Sequence, residues 1–171
     1  TLDAAPFWRA TAQAWHQGFV CIEDPGAPFH ERMIWRRPVT TNPHDLPSPP
    51  KYAHRGARRV RVVDGAHKIR GGRPGRVACG LLDILHFTLR SPERYERKIR
   101  RGGEAFLRNK DLPETVGTTW RRQYQELLET NALRYVAENL YTPERAADAE
   151  ATGELVRDTR LRDRLRPLLA S

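Results

Sequence analysis

The stretch Ile84-Leu85-His86-Phe87-Thr88-Leu89-Arg90-Ser91-Pro92-Glu93 predicts a strand, a corner and a helix in that order. The apolar run from Leu81 to Phe87 has the length and β-favouring content of a buried strand. Ser91 is a good N-cap, Pro92 a good first helical residue, and Glu93 suits the first turn. His86 is thereby placed near a strand end and Arg90 beside a helix N-terminus. Such corners commonly hold anionic ligands, so a pyrophosphate or a metal-bound phosphate suits this one. The plainer reading of the same residues is a hydrogen-bonded structural histidine and an arginine that solvates the strand end.

Upstream of this corner, Tyr52–Arg55 and Val60–Val63 read as short strands, and Asp64-Gly65 as the turn leading to His67-Lys68-Ile69. A second turn at Gly71-Gly72-Arg73-Pro74-Gly75 precedes the His86 strand. These pieces predict a small antiparallel or mixed β patch over about residues 51–88. Downstream the chain reads as helix. Tyr95, Ile99, Gly102 and Phe106 form one stripe, and Gly102-Gly103 within it implies a kink or the close approach of another element. A long helix follows, with Trp120, Tyr124, Leu127, Asn131 and Tyr135 on one face. Thr142-Pro143-Glu144 is another cap, and Leu155, Leu161, Leu165, Leu168 and Leu169 mark a charged amphipathic tail helix.

At the other end, Phe7, Trp8, Ala12, Trp15 and Phe19 recur at mostly helical steps and predict a short amphipathic helix. From Glu23 to Pro50, frequent prolines predict an irregular surface segment tied down by Phe29, Met33, Ile34 and Trp35. The fold class expected is α+β, in three stretches: an N-terminal helix and proline-rich loop (1–50), a central region (51–122) and a helical tail (123–171).

The chain has 171 residues, 39% hydrophobic and 30% charged, enough for one sizeable core. No stretch approaches the ~20 consecutive apolar residues of a membrane span, and the start lacks signal-peptide architecture. A cytoplasmic protein is expected. Thr1 in first place implies processing or a piece of something longer. Cys21 and Cys79, far apart and in no paired motif, offer no metal framework and read as free thiols. The net charge of +9 concentrates between Lys51 and Arg76, where nine basic residues face Asp64 alone. Such a cluster implies an anionic partner: phosphate, nucleotide, nucleic acid or an anionic membrane.

Lys51-Tyr52-Ala53-His54-Arg55, Gly65-Ala66-His67 and His86-Phe87-Thr88-Leu89-Arg90-Ser91 occur in that order, followed by Lys98 and Gly102 along the next helix. In this order the segments resemble the C-terminal half of bacterial family-2-type glycosyltransferases, which have the GT-A nucleotide-sugar fold. The resemblance runs from Lys51 to about Arg122. It implies transfer of a sugar from a nucleotide-sugar donor to a saccharide or lipid-linked acceptor, with a divalent metal (Mg or Mn). It implies His86 as a metal ligand, and Arg90, Lys98, His67, Lys51 and Arg55 as donor or phosphate contacts. Lys98, beside the buried stripe, reads equally as a snorkelling lysine.

The Asp-x-Asp motif that holds the metal in that family is missing from the sequence. The resemblance therefore implies a fragment of a GT-A fold, without its donor-binding half and inactive by itself. Glu23-Asp24 resembles the pair in which some of these enzymes keep their base, which makes Asp24 a catalytic candidate. A loop-capping role fits its proline-rich surroundings better. The alternative class is a basic nucleic-acid- or anion-binding module. Against nucleic acid, Lys51–Arg76 holds Tyr52 as its one aromatic, whereas stacking modules interleave several. Peripheral contact at the inner membrane face is compatible with the transferase reading.

Overall fold

The computed structural model describes residues 11–24, 26–41, 47–54, 58, 60–71 and 77–170. The fold is mixed α and β, and the chain divides into two compact units that alternate along the sequence. Unit 1 comprises Thr1–Gly18 and Val39–His86; unit 2 comprises Phe19–Pro38 and Phe87–Ser171. These boundaries do not follow the linear segments 1–50, 51–122 and 123–171. The corner at His86–Ser91 is where the chain passes from one unit to the other.

Unit 1 is built on a three-stranded sheet of order β4-β1-β7, with β1 Thr11–Gly18, β4 Lys51–Ala53 and β7 Val77–His86. β1 pairs antiparallel with β4 and parallel with β7, so the sheet is mixed as expected. Its central strand, however, falls where the amphipathic helix was expected; Phe7 and Trp8 of that expectation lie outside the described residues. Hydrogen-bonding partners on both edges of β1 satisfy its backbone as a strand, and tertiary pairing overrides a weak local helical pattern. β5 Arg61–Val62 and β6 Ile69–Arg70 form a hairpin across the expected Asp64-Gly65 turn. There the Ala66 N–H donates to the Val63 carbonyl at 2.8 Å, and Gly65 takes a left-handed φ of 71° that glycine adopts without steric cost. Of the second expected turn, Gly71 is described and residues 72–75 lie outside the described residues.

Unit 2 holds the apolar core. α2 runs from Pro92 to Arg108, and the Ser91 Oγ caps it by accepting the Arg94 N–H at 3.3 Å. α3, Thr118–Thr130, packs along it. The glycine pair permits that contact, because a Cβ on Gly102 would lie 2.3 Å from the Trp120 ring and one on Gly103 2.1 Å from Tyr124. Close approach, not a kink, explains both glycines, since α2 is continuous. Tyr95, Ile99 and Leu127 are buried, and the Tyr95 hydroxyl donates to Gln123 Oε1 at 3.1 Å.

The long helix expected through Tyr135 stops at Thr130. Asn131 turns left-handed (φ 52°), which asparagine tolerates better than most residues, and α4 restarts at Arg134–Asn139. The Thr142 cap on α5, Pro143–Ala151, is present. The proline-rich stretch contains regular elements and buried side chains where a surface loop was expected. α1 Phe29–Arg32 and β3 Trp35–Arg36 lie in it, and Met33 and Ile34 are buried. β2 Cys21–Ile22 pairs with β8 Leu140–Tyr141, and β3 pairs with β9 Val156–Arg157. Val20, Ile22, Tyr141, Ala146, Ala149 and Leu155 form one cluster with Trp35 against it. Leu155 thus belongs to the core and lies outside the tail helix, α6 Arg160–Leu169, where Leu168 and Leu169 are exposed. Polar ties close the unit. Trp35 Nε1 donates to Glu150 at 2.8 Å, and the buried Asp158 carboxylate meets Arg36 at 2.9 Å and Arg160 at 2.7 Å. Among the described residues no helix is long and apolar enough to cross a membrane.

Candidate functional site: a cationic sheet face

The register of unit 1 explains which side chains meet. Lys51 lies opposite Ala14, His16 opposite Ile84, and Gly18 opposite His86. Side chains alternate along a strand, so Lys51, Ala14, His16 and His86 share one face of the sheet. The His16 and His86 rings are 4.9 Å apart, inclined at 44°. From the hairpin, His67 reaches the same group. Its Nδ1 lies 3.1 Å from the Pro50 carbonyl and its Nε2 2.8 Å from the Lys51 ammonium. A carbonyl only accepts and an ammonium only donates, so Nδ1 carries the proton and Nε2 offers its lone pair. The Lys51 Nζ also donates to the Gly65 carbonyl, which leaves one of its three hydrogens for a further acceptor.

The electrostatics of this face are one-sided. Burial, then His86, Lys51 and His67, bring the His16 imidazole down to about 4, so it is neutral at pH 7. Every charged neighbour in that set is a cation or can become one. Burial also lowers the Lys51 ammonium below the usual lysine value. The cluster can therefore receive a negatively charged group, with an ammonium hydrogen and imidazole N–H groups as donors.

Arg90 and Lys98 belong to unit 2. The Arg32 guanidinium donates to the Arg90 carbonyl, to the Ile22 carbonyl and to Cys21 Sγ, which fixes the backbone at Arg90. The Arg90 guanidinium lies over the Phe29 ring, 5.5 Å from its centre. A cleft of about 420 Å³ there is lined by Phe29, Arg32, Arg90, Ser91, Glu93 and Arg94, among others. The Lys98 ammonium sits over both Tyr95 and Trp120, at 5.4 and 5.2 Å from the ring centres. Burial, and then Arg90, lower its affinity for a proton. The aromatic contacts agree with the snorkelling alternative, and the influence of Arg90 places the two cations in one neighbourhood.

The structure thus gathers Lys51, His67 and His86 in one unit and Arg90 with Lys98 in the other; Arg55 lies outside the described residues. Asp24 is exposed, and its Oδ1 accepts the Gly26 and Ala27 N–H groups at 3.1 Å each, so its carboxylate caps the loop. Two residues had no sequence signal as site residues. His16 was hidden because its segment reads as a helix, and Arg32 because nothing local announces that it holds Arg90.

A divalent cation finds no ready site among the described residues, where no group of three or more His, Cys, Asp or Glu side chains is gathered as metal binding requires. Magnesium and manganese take mainly oxygen ligands, and the surroundings of His86 are imidazoles and an ammonium. The described residues do not fit such an ion. No family model, curated protein or solved structure matches this chain.

Proposed function

We propose that the chain is the acceptor-side, C-terminal part of a glycosyltransferase using a nucleotide-sugar donor, and that the sheet face of unit 1 receives the donor's pyrophosphate. The supporting observation is the convergence of Lys51, His16, His67 and His86, drawn from separate segments, on one cationic cluster. Lys51, His67 and His86 are also the residues carried by the motif order of the resemblance.

Glycosyl transfer leaves negative charge on the departing pyrophosphate as the sugar–phosphate bond breaks. Fixed donors aimed at that charge lower the barrier more than they help the ground state. Lys51 supplies an ammonium held by Gly65 and His67, with one hydrogen still to give. His86, beside a neutral His16, supplies an imidazole from the strand end.

The test is binding by the chain itself, with no turnover required. Uridine or guanosine diphosphate is titrated into labelled protein and the amide shifts of β1, β4 and β7 are followed. Lys51→Ala is expected to weaken binding about tenfold, in line with the roughly 1.5–3 kcal/mol of a hydrogen bond to a charged group. Absent binding, or shifts confined elsewhere, would remove this reading. Equal affinity for inorganic pyrophosphate would reduce it to anion binding without a nucleotide.

A further inference from the structure

α2 carries two faces of different chemistry. At about 100° per residue, Tyr95, Ile99, Gly103 and Phe106 occupy the side packed in unit 2. Arg94, Arg97, Arg101 and Arg108 fall within a sector of roughly 60° on the opposite side. All of these arginines are exposed. The carboxylate partnership found on this helix is the Arg100–Glu96 pair at 2.9 Å, off the stripe. None of the stripe arginines has an ion pair with a described residue. The stripe runs about 21 Å at 1.5 Å per residue. Some surface arginines elsewhere are answered by acids, as in Arg166–Glu31 and Arg157–Glu150.

From this unanswered row of arginines on the outer ridge of α2 we infer a docking surface for an anionic phospholipid bilayer. Rows of basic side chains on an amphipathic helix are drawn to acidic headgroups. The choice of a bilayer over nucleic acid rests on the flanks of the ridge. Glu93 and Glu104 are exposed along one side, about 50–70° from the centre of the row. A flat surface touches the ridge and leaves them in solvent, whereas a nucleic-acid groove would press them against phosphates. The row also lacks the aromatic side chains on which bases stack. The inference does not depend on the transferase reading, since neither Arg97 nor Arg101 is placed in the pyrophosphate cluster.

The experiment is sedimentation of the full chain with large vesicles of phosphatidylcholine alone or with one-quarter phosphatidylglycerol. Binding is expected to the acidic vesicles, to be weakened by salt, and to fall about fivefold for each arginine removed. Arg97→Gln/Arg101→Gln should lower it markedly, while the charge-matched Arg162→Gln/Arg164→Gln variant on α6 should retain it. Circular dichroism checks that both variants are folded. Equal loss in the two variants would overturn the inference, as net charge alone would then explain binding. No binding to acidic vesicles, or displacement by random duplex DNA with a higher affinity than for vesicles, would overturn it as well.

Discussion

The two units keep order by different means. Among the described residues, unit 2 contributes nearly all the buried apolar side chains, from Phe19 and Val20 through Tyr141 to Leu155, while Ala14 is the buried apolar residue of unit 1. Full burial of a side chain such as Ile99 or Leu127 is worth about 1.5–3 kcal/mol, and unit 2 has many. Among the described residues, the ties of unit 1 are its strand ladder and a polar knot of Lys51, His67, Pro50 and Gly65. The difference shows a division of labour. The unit with the apolar core carries the arginine ridge of α2, and the other carries the cluster of Lys51, His16, His67 and His86.

The sharpest challenge to this contrast is Gly103→Ala. The added methyl would meet Tyr124 at 2.1 Å, so the α2–α3 contact must open, at a cost of about 3 kcal/mol. Thermal melting should fall by roughly 6–12 °C. Amide exchange should accelerate more in α2 and α3 than in β1, and a uniform acceleration would break the distinction drawn here. Gly153→Ala is the control: nothing lies within 4 Å, and the cost is the left-handed backbone alone, about 1 kcal/mol.

A smaller effect is expected at Asp158. Hydrogen bonds from Arg160 and then Arg36 hold its carboxyl at about 2, below the ordinary aspartate value. The contribution is present above the unfolded value near 3.9 and is lost as pH falls through about 2. Asp158→Asn should cost about 2 kcal/mol at pH 7, as expected for hydrogen bonds to charged groups, and should flatten the stability profile between pH 4 and 2. An unchanged denaturation midpoint would show that these arginines are adequately served by water.

The smallest effect belongs to unit 1. An unfolded histidine takes its proton near 6.5, while folded His16 resists until about 4. The unfolded state therefore binds more protons in that window, and stability drops as pH is lowered from 6.5 towards 4. Partial exposure of the ring limits the effect to about 1 kcal/mol. His16→Asn should remove that slope, and a slope that survives the substitution would assign it to other groups. Substitution at Asp158 should leave this window alone, which keeps the two pH signatures separable.

Much of unit 2 was legible along the sequence because its signals are local. Ser91-Pro92 and Thr142-Pro143 cap helices through contacts made within a few residues. The stripe of Tyr95 and Ile99 names a buried face, and Gly102-Gly103 announces a close neighbour without identifying Trp120 and Tyr124. Legibility failed where distant partners decide. Thr11–Gly18 has a helical spacing of aromatic residues, yet β4 and β7 claim both of its edges. The same misreading concealed His16, whose place in the cluster follows only from strand register. In the proline-rich stretch, Met33 and Ile34 were recognisable as anchors, but the pairing of β3 with β9, more than 100 residues away, left no mark in the local pattern.

The excess of positive charge, the strand–corner–helix at His86–Ser91 and the capped helices could be read from the chain alone. Each of these depends on composition or on neighbours a few bonds away. That β1 is a strand, that the chain passes between two units at the corner, and that Lys51, His67 and His86 meet a further histidine emerge only in the folded chain. Those outcomes depend on register and long-range pairing, whose free energy resides in contacts between residues far apart in the chain.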